Sequence, residues 1–139
     1  MRAYEGPAFA VQPVPTQERN SIFDFERFSN IAANAYREED GGYSLGDALS
    51  VFQYYFQKYE ERWRQPHPPI RALQISEIIK KMPRICLEDK GGEYQDIGPE
   101  DYEAMIDRHF ETKYRNCNYN INHFFSGRIR ELRYFECGL

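Results

Sequence analysis

Residues 44–65 of the chain read SLGDALSVFQYYFQKYEERWRQ. The apolar side chains of this segment recur every three or four residues, which is the period of one face of an α-helix. Ser44 stands where a helix N-cap is expected, and Tyr54 and Tyr55 widen the apolar stripe beyond the needs of a surface helix. The segment therefore predicts a central helix with this stripe: Leu45, Ala48, Leu49, Phe52, Phe56, Tyr59 and Trp63.

Helical patterns flank the central segment on both sides. Upstream, a helix is predicted over about residues 22–37, with Ser21 as its cap and this buried face: Phe25, Phe28, Ala32, Ala35 and Tyr36. Downstream, three prolines between residues 66 and 69 break the chain. The helix predicted over residues 70–82 has no single apolar stripe, so it is either buried on two sides or restarted at Ser76.

A short strand pair and a fourth helix follow. Ile85 and Leu87 alternate with polar neighbours and lead into Gly91-Gly92, which predicts a β-hairpin over about residues 84–97. Pro99 and the acids after it are typical of a helix start. The expected buried face of this helix is Tyr102, Met105, Ile106, His109 and Phe110.

The last segment, residues 120–136, predicts one closing helix. At about 100° per residue, its core-facing stripe comprises Ile121, Phe124, Phe125, Leu132 and Phe135. The outward arc comprises Asn122, His123, Ser126, Arg130 and Arg133. Arg128 falls inside the apolar stripe, so it needs an acidic partner in residues 100–107 or a path for its stem to solvent.

These patterns predict a mainly α fold. We expect a compact single domain of four to five helices over residues 21–139, with one short β-hairpin at about residues 84–97. Residues 1–20 contain three prolines and predict an extended N-terminal arm. The length of 139 residues is typical of one domain.

Composition narrows the function classes. The net charge of −4 is distributed as −5, +4, −6 and +3 over residues 1–61, 62–92, 93–107 and 108–139. This alternation argues against a uniformly basic nucleic-acid binder. The aromatic content of 16% favours an aromatic core, and it also permits an adhesive surface.

The chain lacks the features of membrane or secreted proteins. No apolar run approaches the roughly 18 residues of a membrane span, and the N-terminus has no signal-peptide pattern. The three cysteines, Cys86, Cys117 and Cys137, are odd in number and far apart. They do not form a disulfide framework, so we expect a reducing, cytoplasmic location.

Catalytic and metal-binding motifs are weak. The potential metal ligands His67, His109 and His123 and the three cysteines have no paired spacing, so no metal or cofactor is expected. A nucleophilic pair of Cys117 with His109 or His123 is conceivable, but no third group orients it in the sequence pattern. An enzyme therefore stays an open and less favoured alternative.

The favoured function is a non-enzymatic module that binds a protein, as a small regulator or inhibitor. The expected partner-binding residues are His123, Arg130, Arg133, Lys80, Lys81 and Arg84. A more specific version is an acidic inhibitor of a nucleic-acid enzyme, of the kind mobile elements carry. It would present carboxylates in place of phosphates from Glu93, Asp96, Glu100, Asp101 and Glu103.

The alternative partner is nucleic acid. The segment ISEIIKKM followed by a glycine-tipped hairpin is similar in outline to a winged helix. The basic blocks at residues 62–92 and 115–133 would then contact phosphates.

Overall fold

The computed structural model describes residues 24–87, 91–111, 113, 119–126 and 128–139. Its elements are α1 (Phe25–Ala35), α2 (Leu45–Trp63), α3 (Ala72–Lys81), β1 (Arg84–Leu87), β2 (Glu93–Asp96), α4 (Pro99–Glu111), α5 (Ile121–Phe124) and α6 (Ile129–Glu136). The mainly helical fold with one antiparallel hairpin is confirmed. The predicted arm at residues 1–20 lies outside the described residues.

Helix α2 is the central element, and it packs against α1 and α4. The Ser44 hydroxyl accepts a hydrogen bond from the Asp47 N–H at 3.1 Å, as the N-cap prediction required. The helix buries Ala48, Val51, Phe52, Tyr55, Phe56 and Tyr59. Trp63, the last member of the predicted stripe, is 39% exposed because the helix ends there and the chain turns at Arg64.

Helices α1 and α3 differ from the predictions at their ends. Asp24 caps α1, and its carboxylate accepts from the Arg27 N–H at 3.0 Å, so α1 begins at Phe25. The predicted start at Ile22 and the predicted cap at Ser21 lie outside the described residues. Helix α3 runs without a restart at Ser76 and is buried on one side. Its side chain Leu73 is 70% exposed, so neither predicted arrangement of α3 is correct.

The hairpin and α4 follow the predicted pattern. The strand register places Arg84 opposite Asp96 and Cys86 opposite Tyr94. The described turn residues Gly91 and Gly92 have φ angles of +77° and +81°, which glycine adopts without strain. All five residues of the predicted face of α4 are buried: Tyr102, Met105, Ile106, His109 and Phe110.

The prediction of one closing helix is wrong, because the chain forms two helices with a break between Phe124 and Ile129. The break changes the rotational phase of α6 relative to α5. Ile121, Phe124 and Phe125 are buried as predicted, but Leu132 is 42% exposed. Glu131 and Arg133 are instead buried, at 4% and 3% exposure.

Of the two arrangements predicted for Arg128, the structure shows the one in which the side chain reaches solvent. The side chain is 44% exposed, and its guanidinium pairs with Glu131 at 3.0 Å. Arg128 stands at the N-cap of α6 rather than inside a continuous helix, so the wheel angle assigned to it did not apply.

Aromatic rings fill the core, in agreement with the aromatic core that the composition predicted. Phe28 of α1 packs edge-on against Phe52 and Phe56 of α2, with ring centroids 4.9 and 5.0 Å away. The Tyr55 hydroxyl donates to the Tyr119 carbonyl at 2.7 Å, which satisfies a polar group within the core. Within the described ranges, no helix is both long and apolar enough to cross a membrane.

Candidate binding surface

Four basic residues from three elements lie together at one end of α3. Lys80 and Lys81 close α3, a two-residue turn leads to Arg84 at the start of β1, and Arg130 approaches from α6. We call these four residues the basic face. A hydrogen bond from Arg130 to the Lys81 carbonyl thus joins the last helix to the end of α3, where Lys80, Lys81 and Arg84 follow one another in sequence.

Arg130 holds the basic face together. Its guanidinium donates hydrogen bonds to the Lys81 carbonyl oxygen and to the Tyr102 hydroxyl, the latter at 2.9 Å. The last carbonyls of a helix have no partner within the helix, and a guanidinium supplies donors to them. The guanidinium carbon also lies 5.5 Å from the ring centre of Phe125. Arg130 is therefore fixed in position while its charge stays partly accessible.

The lysines are placed by the same end of α3. The Lys81 ammonium donates to the Phe125 carbonyl at 3.3 Å, which ties α3 to the turn after α5. Lys80 is exposed and borders a small cleft that also contains Glu39. Positive charge in the last turn of a helix is favourable because the helix dipole is negative there. The positive charges of Lys80 and Lys81 therefore also stabilise the C-terminal end of α3.

The cations of the basic face lie outside the ion pairs that the structure shows within its described residues. Among the residues that the structure describes, no carboxylate forms an ion pair with Lys80, Lys81, Arg84 or Arg130. Lys58, by contrast, lies 3.3 Å from Asp107, and Arg108 lies 3.2 Å from Glu136. The basic face therefore concentrates positive charge that an external anion can neutralise.

An exposed aromatic side chain borders the basic face. Tyr94 on β2 is 70% exposed, and the guanidinium carbon of Arg84 lies 5.7 Å from its ring centre. This cation–π contact orients both side chains. Tyrosine beside arginine is a frequent combination at binding hot spots, because the ring buries large area and the guanidinium directs hydrogen bonds.

Two predicted partner-binding residues lie elsewhere. The exposure predicted for Arg133 is wrong: its side chain is 3% exposed and forms an ion pair with Glu136. His123 is half-buried on α5, and its ring centre lies 6.3 Å from that of buried His109. The phase change at the helix break removes Arg133 from the surface. The pair Ser126-Gly127 is a turn signal at this place in the sequence, and a helix wheel drawn across it does not take that signal into account.

The buried histidines serve the fold. The Nδ1 of His67 donates to the Pro68 carbonyl at 2.8 Å, and its Nε2 accepts from the Ile121 N–H at 3.0 Å. Burial lowers the pKa of His67 to about 4. Burial, helped by Arg133 and His123, lowers the pKa of His109 to about 3. Both rings are therefore neutral near pH 7.

Residues that could hold a metal or start nucleophilic chemistry do not converge in the described part of the chain. No three side chains among its His, Cys, Asp and Glu residues are grouped as metal ligands would be. Cys86 is half-buried, and its thiol donates to the Gly92 carbonyl at 3.7 Å. Cys117, the predicted nucleophile candidate, lies outside the described residues.

The five residues of the predicted acidic surface lie on two elements, β2 and α4. Glu93 and Asp96 are exposed on β2, beside the basic face, and Glu103 is exposed on α4. Asp101 has a local role, since its carboxylate accepts from the Gly98 N–H at 3.0 Å at the start of α4. The Glu100 carboxylate lies against Gly98 as well. The acids thus do not present one uninterrupted anionic surface.

A second concavity lies between α2 and α4, with a volume of about 360 Å³. Its lining residues are Lys58, Glu61, Arg62, Asp107, Phe110 and Glu111. Asp107 already accepts from the Tyr54 hydroxyl at 2.6 Å and pairs with Lys58. Lys58 of this groove is thus engaged with Asp107, whereas the guanidinium carbon of Arg62 lies 4.9 Å from the ring centre of Tyr119.

Comparison with protein-family models, curated proteins and solved structures finds no match to this chain.

Proposed function

We propose that this protein is a non-enzymatic binding module that holds an acidic segment of a partner protein on its basic face. The supporting observation is the cluster of Lys80, Lys81, Arg84 and Arg130, which form no ion pair with any described carboxylate. Positioned but unneutralised charge at a surface favours association with an oppositely charged partner and increases its rate. The module acts as a small cytoplasmic regulator or inhibitor of that partner.

The neighbouring side chains favour a protein over a nucleic acid. Glu93 and Asp96 lie on β2, and Asp96 is directly across the strand pair from Arg84. A continuous track of phosphates would approach these carboxylates and be repelled. A short acidic peptide can end before them. Exposed Tyr94 provides an adjacent contact for an apolar or aromatic side chain of the same peptide.

The acidic-inhibitor version receives less support. It needs carboxylates that are free to imitate phosphates, whereas Asp101 accepts a main-chain hydrogen bond that starts α4. Glu93 and Asp96 are exposed, but they lie beside cations. The basic face is therefore the better candidate for the working surface.

The test is fluorescence anisotropy with a labelled short peptide copolymer of glutamate and tyrosine. Labelled single- and double-stranded DNA and RNA are titrated in parallel, each at two salt concentrations. The double variant K80E/R84E should weaken copolymer binding at least about tenfold, a loss of about 1.4 kcal/mol. The matched control R27E/R64E makes the same change in net charge at exposed positions away from the basic face and should bind normally.

Each outcome separates the candidate functions. Copolymer binding that K80E/R84E removes and R27E/R64E retains supports the proposal. Tight nucleic-acid binding that weakens steeply with salt would replace it with the nucleic-acid alternative, because such dependence reports phosphate neutralisation. Equal loss in both double variants would mean that only net charge matters, which contradicts a defined basic face.

A further inference from the structure

The side of α6 that faces away from the core carries apolar side chains, although charged residues of the same helix are buried. Leu132 is 42% exposed, and Ile129 and Phe135 are half-buried. At about 100° per residue these three side chains share an arc of about 120°. We call them the outer face of α6. The charged neighbours Glu131 and Arg133 point inward.

Charges of opposite sign stand at the two ends of the outer face. Arg128 precedes Leu132 by four residues, and Glu136 follows it by four. Their side chains are 44% and 37% exposed. Around Leu132 the apolar residues are also symmetrically spaced, with Ile129 three residues before it and Phe135 three residues after it. The outer face is thus symmetrical in spacing and opposite in charge at its ends.

Two copies of the outer face of α6 are complementary in charge when the two helices pack antiparallel. When two identical helices pack antiparallel about a two-fold axis, each residue before the central position faces the equivalent residue after it. A two-fold axis at Leu132 places arginine opposite glutamate at both ends of the contact. A parallel pair would place like charges together, which is unfavourable.

We propose that the outer face of α6 binds the same face of a second copy of this chain. In the resulting dimer Leu132 lies on the two-fold axis, and Arg128 faces Glu136 of the partner subunit. Leu132 loses its exposed area to the partner, which supplies a hydrophobic contribution. The two symmetry-related ion pairs set the antiparallel direction, in the way that flanking charges orient coiled coils.

The existing contacts of the end charges are compatible with this arrangement. Arg128 is held by Glu131, and Glu136 accepts from Arg108 and Arg133. A carboxylate has about four acceptor positions and a guanidinium five donors, so each group can serve a further partner. The intramolecular contacts keep both side chains close to the helix, which lowers the entropy lost on association.

The dimer is expected to be weak. A helix of eight residues is about 12 Å long, so its contact area lies at the low end for specific interfaces. A dissociation constant on the order of 10–100 µM is consistent with such an interface. The inference is independent of the basic face, because Arg130 leaves α6 on its inner side to reach Lys81.

The first test is sedimentation equilibrium of the full chain from about 1 to 500 µM, a range chosen to span that affinity. The average mass should rise from one chain to two. Leu132→Glu should raise the dissociation constant at least about tenfold, since it places two like charges on the axis. The matched control is Leu73→Glu, which changes an exposed leucine on α3 and should leave the dimer intact.

A wild-type protein that stays monomeric over this range would overturn the proposal, and the outer face would then belong to another occupant. Retention of the dimer in Leu132→Glu, or equal loss in both variants, would overturn it as well. Circular dichroism of each variant confirms that the fold is unchanged.

Cross-linking tests the position of the axis. Helices in contact lie about 8–10 Å apart, so facing Cα atoms at the axis come within about 6 Å, which a disulfide can span. Under mild oxidation, Leu132→Cys should give covalent dimers joined through position 132, identified by mass spectrometry of peptides. Leu73→Cys should give none through position 73. Dimers of Leu132→Cys joined only through other cysteines would contradict the axis at Leu132.

Discussion

The guanidinium of Arg130 donates a hydrogen bond to the main-chain carbonyl of Lys81, 49 residues earlier in the sequence. This contact joins α6 to the C-terminus of α3. It also brings the positive charge of Arg130 to the two lysines that close α3. One interaction thus completes the end of a helix and assembles the basic face.

Removing the Arg130 side chain should destabilise the protein. Arg130→Ala leaves the Lys81 carbonyl and the Tyr102 hydroxyl without this donor, and each charge-assisted bond contributes about 1–3 kcal/mol. We expect a decrease of about 2–3 kcal/mol in the free energy of unfolding, measured in urea. Arg27→Ala is the control: it removes an exposed arginine side chain of α1, so it should cost less than about 0.5 kcal/mol. Equal costs for the two variants would contradict the role of Arg130 at the end of α3.

Because of the orientation of α6, alanine variants of two adjacent residues should differ in their effect on the free energy of unfolding. Arg133→Ala removes a buried side chain that pairs with Glu136 and opens a space beside His109, so it should cost about 2 kcal/mol or more. Leu132→Ala removes a side chain that is 42% exposed and should cost less than about 1 kcal/mol. Unfolding at low protein concentration keeps a dimer contribution out of the comparison. The reverse order would mean that the apolar side of α6 faces the core.

The two buried histidines should make stability depend on pH. In the unfolded chain each histidine takes up a proton near pH 6.5, whereas in the folded protein the pKa of His67 is about 4 and that of His109 about 3. The unfolded state therefore binds more protons below pH 6.5, and the free energy of unfolding falls as pH decreases. The slope approaches about 1.4 kcal/mol per pH unit for each histidine.

His109→Phe tests this dependence, because phenylalanine keeps a ring among the aromatic neighbours but cannot be protonated. Urea unfolding at several pH values between about 7 and 4.5 should show a shallower decrease for the variant than for the wild type. Carboxylate titrations affect both proteins alike and cancel in the difference. Parallel curves would show that His109 is protonated equally in both states.

The acids at the start of α4 should differ in their contribution to stability. Asp101→Ala removes the acceptor for the Gly98 N–H and a negative charge from the first turn, so we expect a cost of about 1 kcal/mol. Glu103→Ala changes an exposed side chain and should alter stability by less than about 0.5 kcal/mol. Thermal unfolding followed by circular dichroism measures both. If Asp101→Ala leaves the stability unchanged, Asp101 has no structural role and is again a candidate for an acidic binding surface.

The sequence alone predicts those helices and strands whose starts, turns and buried faces are marked by residues close together in the chain. The cap at Ser44, the periodic stripe of α2, the glycines of the hairpin turn and Pro99 at the start of α4 all act within a few residues. The buried face of α4 is predicted completely, because five apolar or aromatic positions repeat at one period without interruption. The clustering of Lys80 and Lys81 with Arg84 also follows from their closeness in sequence.

Tertiary structure decides what the last segment of the chain does. The pattern of residues 120–136 fits one helix with Leu132 inside and Arg133 outside, and the fold places them the other way round. A break of a few residues resets the helix phase, and a wheel built across the break assigns wrong angles to every residue after it. Burial of Arg133 depends on Glu136 in the same helix and on α4 beside it, with Arg108 pairing to that glutamate. The meeting of Arg130 with Lys81 depends on packing between segments that no local pattern relates. The sequence therefore determines the helices, the hairpin and their buried residues wherever short-range signals agree, whereas the basic face and the outer face of α6 are determined by how those elements pack.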